Sequence, residues 1–323
     1  MRRCSFTGFF ICLCIALVCV QSAAADYKQA VAFYNQGQYD KAIQELKPDL
    51  DRNPDWETGH RILGLCYLKL KNNALAISAL SRAVQLKSTS FSTYLGLGQA
   101  YFSMQKYDNC ISSLNQGEQF IAKEKEPEKE KAKLAKFRGS AYFQIGKYDE
   151  AASDLTDAIR VNQSDWSDFF KLGFSHMKLN RMDDAIPALE KALAMKPGES
   201  KTIGLLADAY LKKGSAALTG KQYAAALQYL LKAKDYDPKD GYVYYNLAEA
   251  YLFQKKYPEA EKAFIQAADL MPQNAQVIGR MGFVYEKQKK WPQALNAYKK
   301  AEEIKSSKEI KEAIARVNEN MKK

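Results

Sequence analysis

The sequence predicts an all-α protein built from repeated antiparallel helix hairpins. Two observations carry this prediction: a small residue is followed four positions later by a bulky apolar one, and the pair recurs with a period of roughly 34 residues. The composition agrees, because 323 residues that are 47% hydrophobic and 26% charged can bury a substantial core. Extensive disorder is therefore excluded.

The segment 1–25 is predicted to be a cleavable signal peptide. An Arg-Arg pair precedes an apolar run from Phe9 to Val20, and a triple alanine that ends at Ala25 offers the small residues of a signal peptidase site. The run is shorter than the roughly 20 residues that span a bilayer as a helix, and retention of the segment as an anchor is the alternative. We expect the mature chain to begin at Asp26 and to be exported, periplasmic or secreted, with a bacterial envelope as its compartment.

Charge and cysteine usage narrow the classes of partner and cofactor. The chain carries 48 Lys and Arg against 37 Asp and Glu, a formal charge of +11, which suggests nucleic acid or an anionic surface. An exported chain does not meet nucleic acid, so we expect no nucleic-acid partner and at most peripheral membrane contact. Four of the six cysteines fall at or before Cys19, and there are only two histidines. This excludes a zinc or disulfide scaffold, and we expect no cofactor.

Each repeat is predicted to be a hairpin whose two helices cross at small residues. The small residues of the second helices are Ala42, Ala76, Cys110, Ala151, Ala185, Ala226, Ala260 and Ala294. Twelve positions earlier, the small residues of the first helices are Ala30, Gly64, Gly98, Gly139, Gly173, Gly214, Ala248 and Gly282. Two helices approach closely only where side chains are small, so these two sets predict the seam of each hairpin.

This pattern resembles the tetratricopeptide repeat, which carries small residues at positions 8, 20 and 27, tyrosine at 11 and proline at 32. Proline stands at position 32 in Pro54, Pro197, Pro238 and Pro272, and the turn inside the hairpin recurs as GQYDKA, GKYDEA and KKYPEA. The resemblance implies a right-handed superhelical solenoid of antiparallel hairpins whose first helices line a concave face. It divides residues 26–306 into eight units, at about 26–56, 57–90, 91–124, 125–165, 166–199, 200–240, 241–274 and 275–306.

Two units are seven residues longer than the others, which corresponds to two helical turns and preserves the buried face. In the first, Pro127 is expected to open a helix that runs to about Phe143. In the second, the first helix is expected to run from about Ser200 to Thr219. The alternative is a break between domains at either point, because the Lys/Glu run of the first insertion is also typical of a solvated spacer.

The last residues, 307–323, are predicted to form a capping helix. Ile310, Ile314 and Val317 follow one another at spacings of four and three, which is typical of one apolar face of a helix. This face is expected to cover the inner side of the last repeat, which would otherwise be open.

Catalytic chemistry is not predicted. Cys66 and Cys110 are the thiols that remain after maturation, but Cys110 takes the place of the small residue at position 20. His176 takes the place of the tyrosine at position 11, so it also falls in the packing seam. We expect structural roles for these residues, no disulfide between the two thiols, and no enzyme.

The surface predicted to carry function is the concave face, which the family resemblance assigns to positions 2, 5, 9, 12 and 13 of the first helices. Aromatic rings dominate there, with basic residues between them, and large rigid rings are typical of interface anchors. The alternative is that some of these rings only contact the neighbouring first helix. The predicted partner-binding residues, which we term the groove candidates, are Tyr34, Arg61, Lys69, Phe102, Lys136, Phe143, Phe170, Phe174, Tyr242, Tyr245, Phe253 and Phe283.

Three functional hypotheses follow. The first is a non-enzymatic protein–protein interaction scaffold in the cell envelope that binds a segment of another envelope protein or peptide in its concave groove. The second is an adhesion or tethering protein whose excess lysines attract an anionic polymer or lipid surface, which high salt would weaken steeply. The third, a hydrolase or transferase, lacks any cluster of titratable residues to support it.

Overall fold

A computed structural model describes residues 27–161 and 165–322 of the chain. The predicted signal peptide lies outside the described residues. The described chain is all-α, as the sequence predicts, and it divides near residue 164 into two compact units. We call residues 27–161 the amino-terminal unit and residues 165–322 the carboxy-terminal unit. No helix in these two stretches has the length and apolar character needed to cross a bilayer.

The amino-terminal unit consists of successive helix hairpins, in which α3 pairs with α4, α5 with α6 and α7 with α8. A short 3₁₀ turn, Ile121–Lys123, precedes α7. The helices are α1 (27–35), α2 (Tyr39–Arg52), α3 (Glu57–Lys69), α4 (Asn73–Gln85), α5 (Phe91–Ser103), α6 (Tyr107–Glu118), α7 (Pro127–Gln144) and α8 (Tyr148–Ile159).

The carboxy-terminal unit continues the same pattern, with α9 paired to α10, α11 to α12, α13 to α14 and α15 to α16. A last helix, α17, packs on α16 and buries Ala313 and Val317. The helices are α9 (Trp166–Lys178), α10 (Met182–Met195), α11 (Ser200–Thr219), α12 (Tyr223–Tyr236), α13 (Gly241–Phe253), α14 (Tyr257–Leu270), α15 (Ala275–Lys287), α16 (Trp291–Ile304) and α17 (Lys308–Asn320).

The hairpin seam is built as predicted. All the small residues at position 20, from Ala42 to Ala294, are fully buried. The glycines at position 8 face the bulky residue of the partner helix so closely that a Cβ atom at Gly173 would lie 2.6 Å from Leu189 Cγ. A Cβ atom at Gly98 would lie 2.7 Å from Leu114 Cγ. Glycine is therefore required at these positions by contact between the two helices.

The turn inside each hairpin places one residue in the left-handed region. This residue stands five positions before the small residue of the second helix, and its φ lies between 57° and 77°. The next N–H reaches back to a carbonyl five residues earlier, as from Asn72 to Tyr67 and from Lys256 to Tyr251, which ends the first helix. The left-handed residues are Gly37, Lys71, Gln105, Gly146, Asn180, Lys221, Lys255 and Lys289.

Both seven-residue insertions lengthen a first helix, which confirms the predicted helices. Helix α7 has 18 residues and opens at Pro127, and α11 has 20 residues from Ser200 to Thr219, whereas α3, α5, α9, α13 and α15 have 13. The chain does not divide at either insertion, and each compact unit contains one of them. The extra turns are therefore part of the hairpins.

Candidate functional site

In the amino-terminal unit, the aromatic groove candidates pack inside their own hairpins. Each ring, at position 12 of the first helix, lies edge-on to a tyrosine at position 17, where the second helix begins. The Phe102 ring also lies 6.2 Å from that of Phe137 on the next first helix. The pairs, with ring centroids 5.7, 5.6 and 6.2 Å apart, are Tyr34–Tyr39, Phe102–Tyr107 and Phe143–Tyr148.

These contacts show that the three rings take part in packing, and Phe102 contacts a neighbouring first helix as the alternative interpretation expects. The tyrosines at position 17 were missed by sequence reasoning, although they recur five residues after each ring. Two of the basic candidates, Arg61 and Lys69, lie on α3, and the third, Lys136, lies on α7. Arg61 is half-buried with its Nε 3.8 Å from Glu57 Oε1, Lys136 is half-buried, and Lys69 is exposed.

Helix α9 of the carboxy-terminal unit carries an aromatic stripe. Phe170 and Phe174 lie with ring centroids 6.2 Å apart, and Trp166 continues the stripe one turn earlier, 6.0 Å from Phe170. The Lys178 Nζ stands 5.2 Å from the Phe174 ring centroid. Phe170 also packs against the core of this unit, and both phenylalanines are half-buried.

Helix α13 presents the two aromatic groove candidates that are most exposed. Tyr242 is 59% exposed and Phe253 is 51% exposed, although the Phe253 ring stacks on Tyr223 with centroids 5.0 Å apart. Tyr245 is half-buried, because its ring meets Phe264 edge-on at 5.9 Å. Burial accordingly raises the pKa of Tyr245 above its ordinary value. Tyr242 and Phe253 are thus large rings of α13 that remain more than half exposed, although Tyr223 covers one face of Phe253.

A row of hydrogen bonds, which we call the polar ladder, joins neighbouring helices of the carboxy-terminal unit. It links α11 to α13, α13 to α15, and α15 to α17, and its partners are 30 or 31 residues apart. The four bonds are Asn246 Nδ2 to Ser215 Oγ (3.1 Å), Gln276 Nε2 to Tyr245 OH (2.8 Å), Arg280 Nε to Glu249 Oε1 (2.6 Å) and Arg316 Nε to Glu286 Oε1 (2.7 Å).

Two of these links are bidentate ion pairs. Arg280 Nη2 also binds Glu249 Oε2 at 2.5 Å, and Arg316 Nη2 binds Glu286 Oε2 at 2.9 Å. The hydrogen bonds from Arg316 hold the pKa of Glu286 below its ordinary value, and a bond from the Tyr298 hydroxyl at 2.9 Å adds to this effect. The sequence analysis did not predict the polar ladder. A pattern that could have indicated it is a pair of polar residues of complementary hydrogen-bonding character, 30 or 31 residues apart, which is slightly less than one full repeat.

The remaining candidate, Phe283, borders a cavity of about 510 Å³ that is formed by α15, α16 and α17. Its ring lies 5.4 Å from the Arg280 guanidinium and 4.9 Å from Lys287 Nζ. Gly279 and Tyr298 also line the space. The cavity therefore lies at groove positions 5 and 9 of α15, beside α17.

The two thiols lie in the packing seam. Cys66 and Cys110 are fully buried, unpaired cysteines, and burial raises the pKa of each thiol to about 12. At neutral pH both are protonated, and neither is placed to act as a nucleophile.

Comparison with protein families finds the same repeat along most of the chain. Three family models match, and each is described as tetratricopeptide repeat. The first matches three stretches, residues 22–91, 138–200 and 170–241. The second matches residues 91–119, and the third matches residues 240–307. A search of the curated proteins found no match.

Several solved structures are similar. MamA 41-end from Desulfovibrio magneticus RS-1 is 25% identical, over 55% of this chain and 97% of that one, with a TM-score of 0.38. YrrB, described as a TPR protein with an unusual peptide-binding site, is 17% identical over 62% and 96%, with a TM-score of 0.40. The P58(IPK) TPR domain is 13% identical over 93% and 98%, with a TM-score of 0.34.

The family models cover both compact units and include the seam residues from which the resemblance was inferred. The chain belongs to the tetratricopeptide repeat family.

Proposed function

We propose that the protein is a non-enzymatic interaction scaffold of a cell envelope, which holds a segment of a partner protein against the first helices of its carboxy-terminal unit. The observation that carries this proposal is the exposure of Tyr242 and Phe253, at 59% and 51%, on helix α13. The envelope compartment follows from the predicted signal peptide that ends at Ala25.

The exposed rings are spaced for a segment several residues long. Tyr242 and Phe253 are eleven residues apart, which brings them to nearly the same side of α13 and separates them by about 16 Å along its axis. Tyr245 and Glu249 lie between them on that side. Rings of this size bury much apolar area at little cost in side-chain entropy, which is why they anchor interfaces.

The carboxylates on this face are paired with arginines of the same chain. Glu249 is bound by Arg280, and Glu286 by Arg316, through two hydrogen bonds each. A partner that met this surface would therefore gain more from covering the rings than from pairing with free charges. Its affinity should fall only modestly as salt is raised, which separates the scaffold from an electrostatic tether.

The test removes the two rings. The double variant Tyr242→Ala, Phe253→Ala should lose crosslinked capture of its partner from an envelope extract, with each anchor worth about 2 kcal/mol. Tyr242 is exposed and Phe253 loses only its stacking on Tyr223, so we expect helix content to stay close to wild type and the melting temperature to fall only slightly.

The matched control removes two exposed leucines of the second helices, Leu231→Ala and Leu270→Ala, which are 38% and 39% exposed. This control should capture the partner as the wild type does. Equal capture by both variants would contradict the proposed surface. Capture that survives the ring variant but disappears in high salt would favour the tether.

A further inference from the structure

The cavity beside Phe283 exists because one groove position holds no side chain. Gly279 stands at position 5 of α15, and a Cβ atom built there would meet only Ala301 Cβ, at 3.9 Å. The backbone φ of Gly279 is not positive, so the local conformation does not require glycine. The open space is therefore a feature of this position of the groove, and other residues could occupy it without backbone strain.

The preceding hairpin shows what fills the equivalent space. One repeat before Gly279 the chain has Tyr245, and one repeat before Tyr298 it has Phe264. The Tyr245 ring meets Phe264 edge-on, with centroids 5.9 Å apart. In the last hairpin the receiving ring, Tyr298, is still present and lines the cavity, but the ring that would meet it is missing.

Two positions that hold polar residues beside Tyr245 hold apolar residues in the cavity. Gln276, which donates a hydrogen bond to the Tyr245 hydroxyl, corresponds one repeat later to Ile310, and Glu249 corresponds to Phe283. Both Ile310 and Phe283 line the cavity. The part of the wall formed by Ile310 and Phe283 is therefore apolar, and the apolar ring of a phenylalanine suits it.

The rest of the lining mixes donors and acceptors. Arg280 uses Nε and Nη2 for Glu249, which leaves its Nη1 without a hydrogen-bond partner among the described residues. Lys305 and Arg316 add two further cations, of which Arg316 is paired with Glu286, while Glu309 and Glu312 contribute carboxylates. With both signs of charge present, the lining suits the neutral N–H and C=O groups of a peptide backbone better than a single ion.

We propose that this cavity, which we call the ring pocket, binds a phenylalanine side chain of an extended peptide. The phenyl ring would lie edge-on to Tyr298, in the place that Tyr245 takes in the preceding hairpin, and the backbone amides on either side would meet Arg280 and the carboxylates. A volume of about 510 Å³ accommodates the ring and its flanking peptide groups. The inference rests on the proposed function in one respect: the peptide is taken to belong to the partner segment.

The pocket can be tested without the partner. N-acetylphenylalanine amide, titrated into the full chain and followed by NMR at Gly279 and Ala313, should bind with a dissociation constant on the order of 1 mM. N-acetylalanine amide, which has the same peptide groups but no ring, should bind at least about tenfold more weakly.

The decisive variant fills the pocket from inside. Gly279→Phe should weaken binding of the phenylalanine amide at least about tenfold while raising the melting temperature, because it replaces a helical glycine and fills a cavity. Gly204→Phe is the matched control, since Gly204 is an exposed helical glycine with nothing within 4 Å of its Cβ position. The control should bind like the wild type. Ile310→Asn, on the opposite wall, provides a second variant that should also weaken binding.

No binding by the wild-type chain, equal binding of the two amides, or undiminished binding by Gly279→Phe or by Ile310→Asn would overturn the ring pocket. None of these results would contradict the proposed scaffold function, which is tested separately by whether partner capture requires Tyr242 and Phe253. If the variant without Tyr242 and Phe253 still captured the partner while the wild type bound the phenylalanine amide, the proposed scaffold surface would be wrong and the ring pocket would stand.

Discussion

The two compact units use the aromatic residues of the repeat differently. In the amino-terminal unit, the rings at position 12 face tyrosines at position 17 of the same hairpin, as Phe102 faces Tyr107. In the carboxy-terminal unit, the residue at position 12 of α11 is Leu218, and Tyr223 at position 17 instead stacks on Phe253 of the next hairpin. An aromatic residue at a groove position can therefore meet a partner only with the part of its ring that other rings leave exposed, and Tyr242 and Phe253 remain 59% and 51% exposed.

The units also join their helices differently. In the amino-terminal unit, Arg138 of α7 binds Asp154 of its own hairpin and Glu118 of the preceding one, each at 2.8 Å. In the carboxy-terminal unit, the polar ladder runs between first helices and on to α17. The carboxy-terminal unit also pairs a first helix with a second helix, through Lys213 of α11 and Asp183 of α10. The polar ladder therefore adds links between first helices to the first-to-second-helix ion pairs that both units contain.

The largest expected effect lies in the seam, which the two units share. Gly98→Leu in the amino-terminal unit and Gly173→Leu in the carboxy-terminal unit should each lower the free energy of unfolding by about 3 kcal/mol, because each adds bulk where two helices touch. Thermal melts measure this loss, with the exposed Gly204→Leu as a control that should not share it. Melts in which the seam variants match the control would contradict the assignment of position 8.

A smaller effect is expected in the polar ladder, which belongs to the carboxy-terminal unit. The contribution of its Glu286–Arg316 pair to the free energy of unfolding should depend on pH. The folded-state pKa of Glu286 is lowered, chiefly by Arg316, so its contribution to stability is present above the unfolded pKa of about 4.3 and is lost as pH falls through the lower folded value. The wild type should be more stable than Glu286→Gln at about pH 6, and this difference should shrink in denaturant titrations between about pH 5 and pH 2. A difference that stays constant over this range would show that the ion pair does not contribute through its charge.

The smallest effect concerns the hairpin turns. The amino-terminal unit has glycine at two of its left-handed positions, Gly37 and Gly146, whereas Asn180, Lys221, Lys255 and Lys289 hold the corresponding positions of the other unit. Lys255→Gly should raise the free energy of unfolding by about 0.5 to 1 kcal/mol, and Gly146→Lys should lower it by a similar amount. Denaturant unfolding measures both changes, and two shifts of the same sign would contradict a backbone origin.

The seam and the lengths of the helices could be predicted from the sequence because both depend on spacing within a hairpin. Gly173 and Leu189 are sixteen residues apart, and the same spacing separates the position-8 residue from the bulky apolar residue in every hairpin. Pro127 indicates the start of α7 because proline, which has no N–H to donate, is favoured in the first turn of a helix. The predicted signal peptide, the eight-unit division and the envelope compartment stay predictions.

The partners of the groove candidates could not be predicted in the same way. Whether Phe102 meets Tyr107 or a ligand depends on rotamers and on the distance between helices, neither of which a spacing specifies. The ladder depends on how far neighbouring helices are offset, which brings together residues separated by slightly less than one full repeat. The ring pocket required a side chain to be absent, and Gly279 alone does not reveal whether a neighbour fills the space.

The two long first helices also define which insertions this architecture can absorb. Seven added residues rotate the chain by about 700°, roughly 20° short of two full turns. Relative to the 13 residues of α3, α11 is longer by seven residues and α7 by five, and in both the extra residues lie at the amino-terminal end, before the seam glycine. The glycine therefore keeps its contact with the second helix. An insertion of five residues inside such a helix, before its seam glycine, would place the residues on either side of it about 140° out of phase. A hairpin of this kind can therefore gain new surface at the amino-terminal end of its first helix and keep its crossing, whereas residues inserted next to the seam glycine preserve the phase only in steps of about seven.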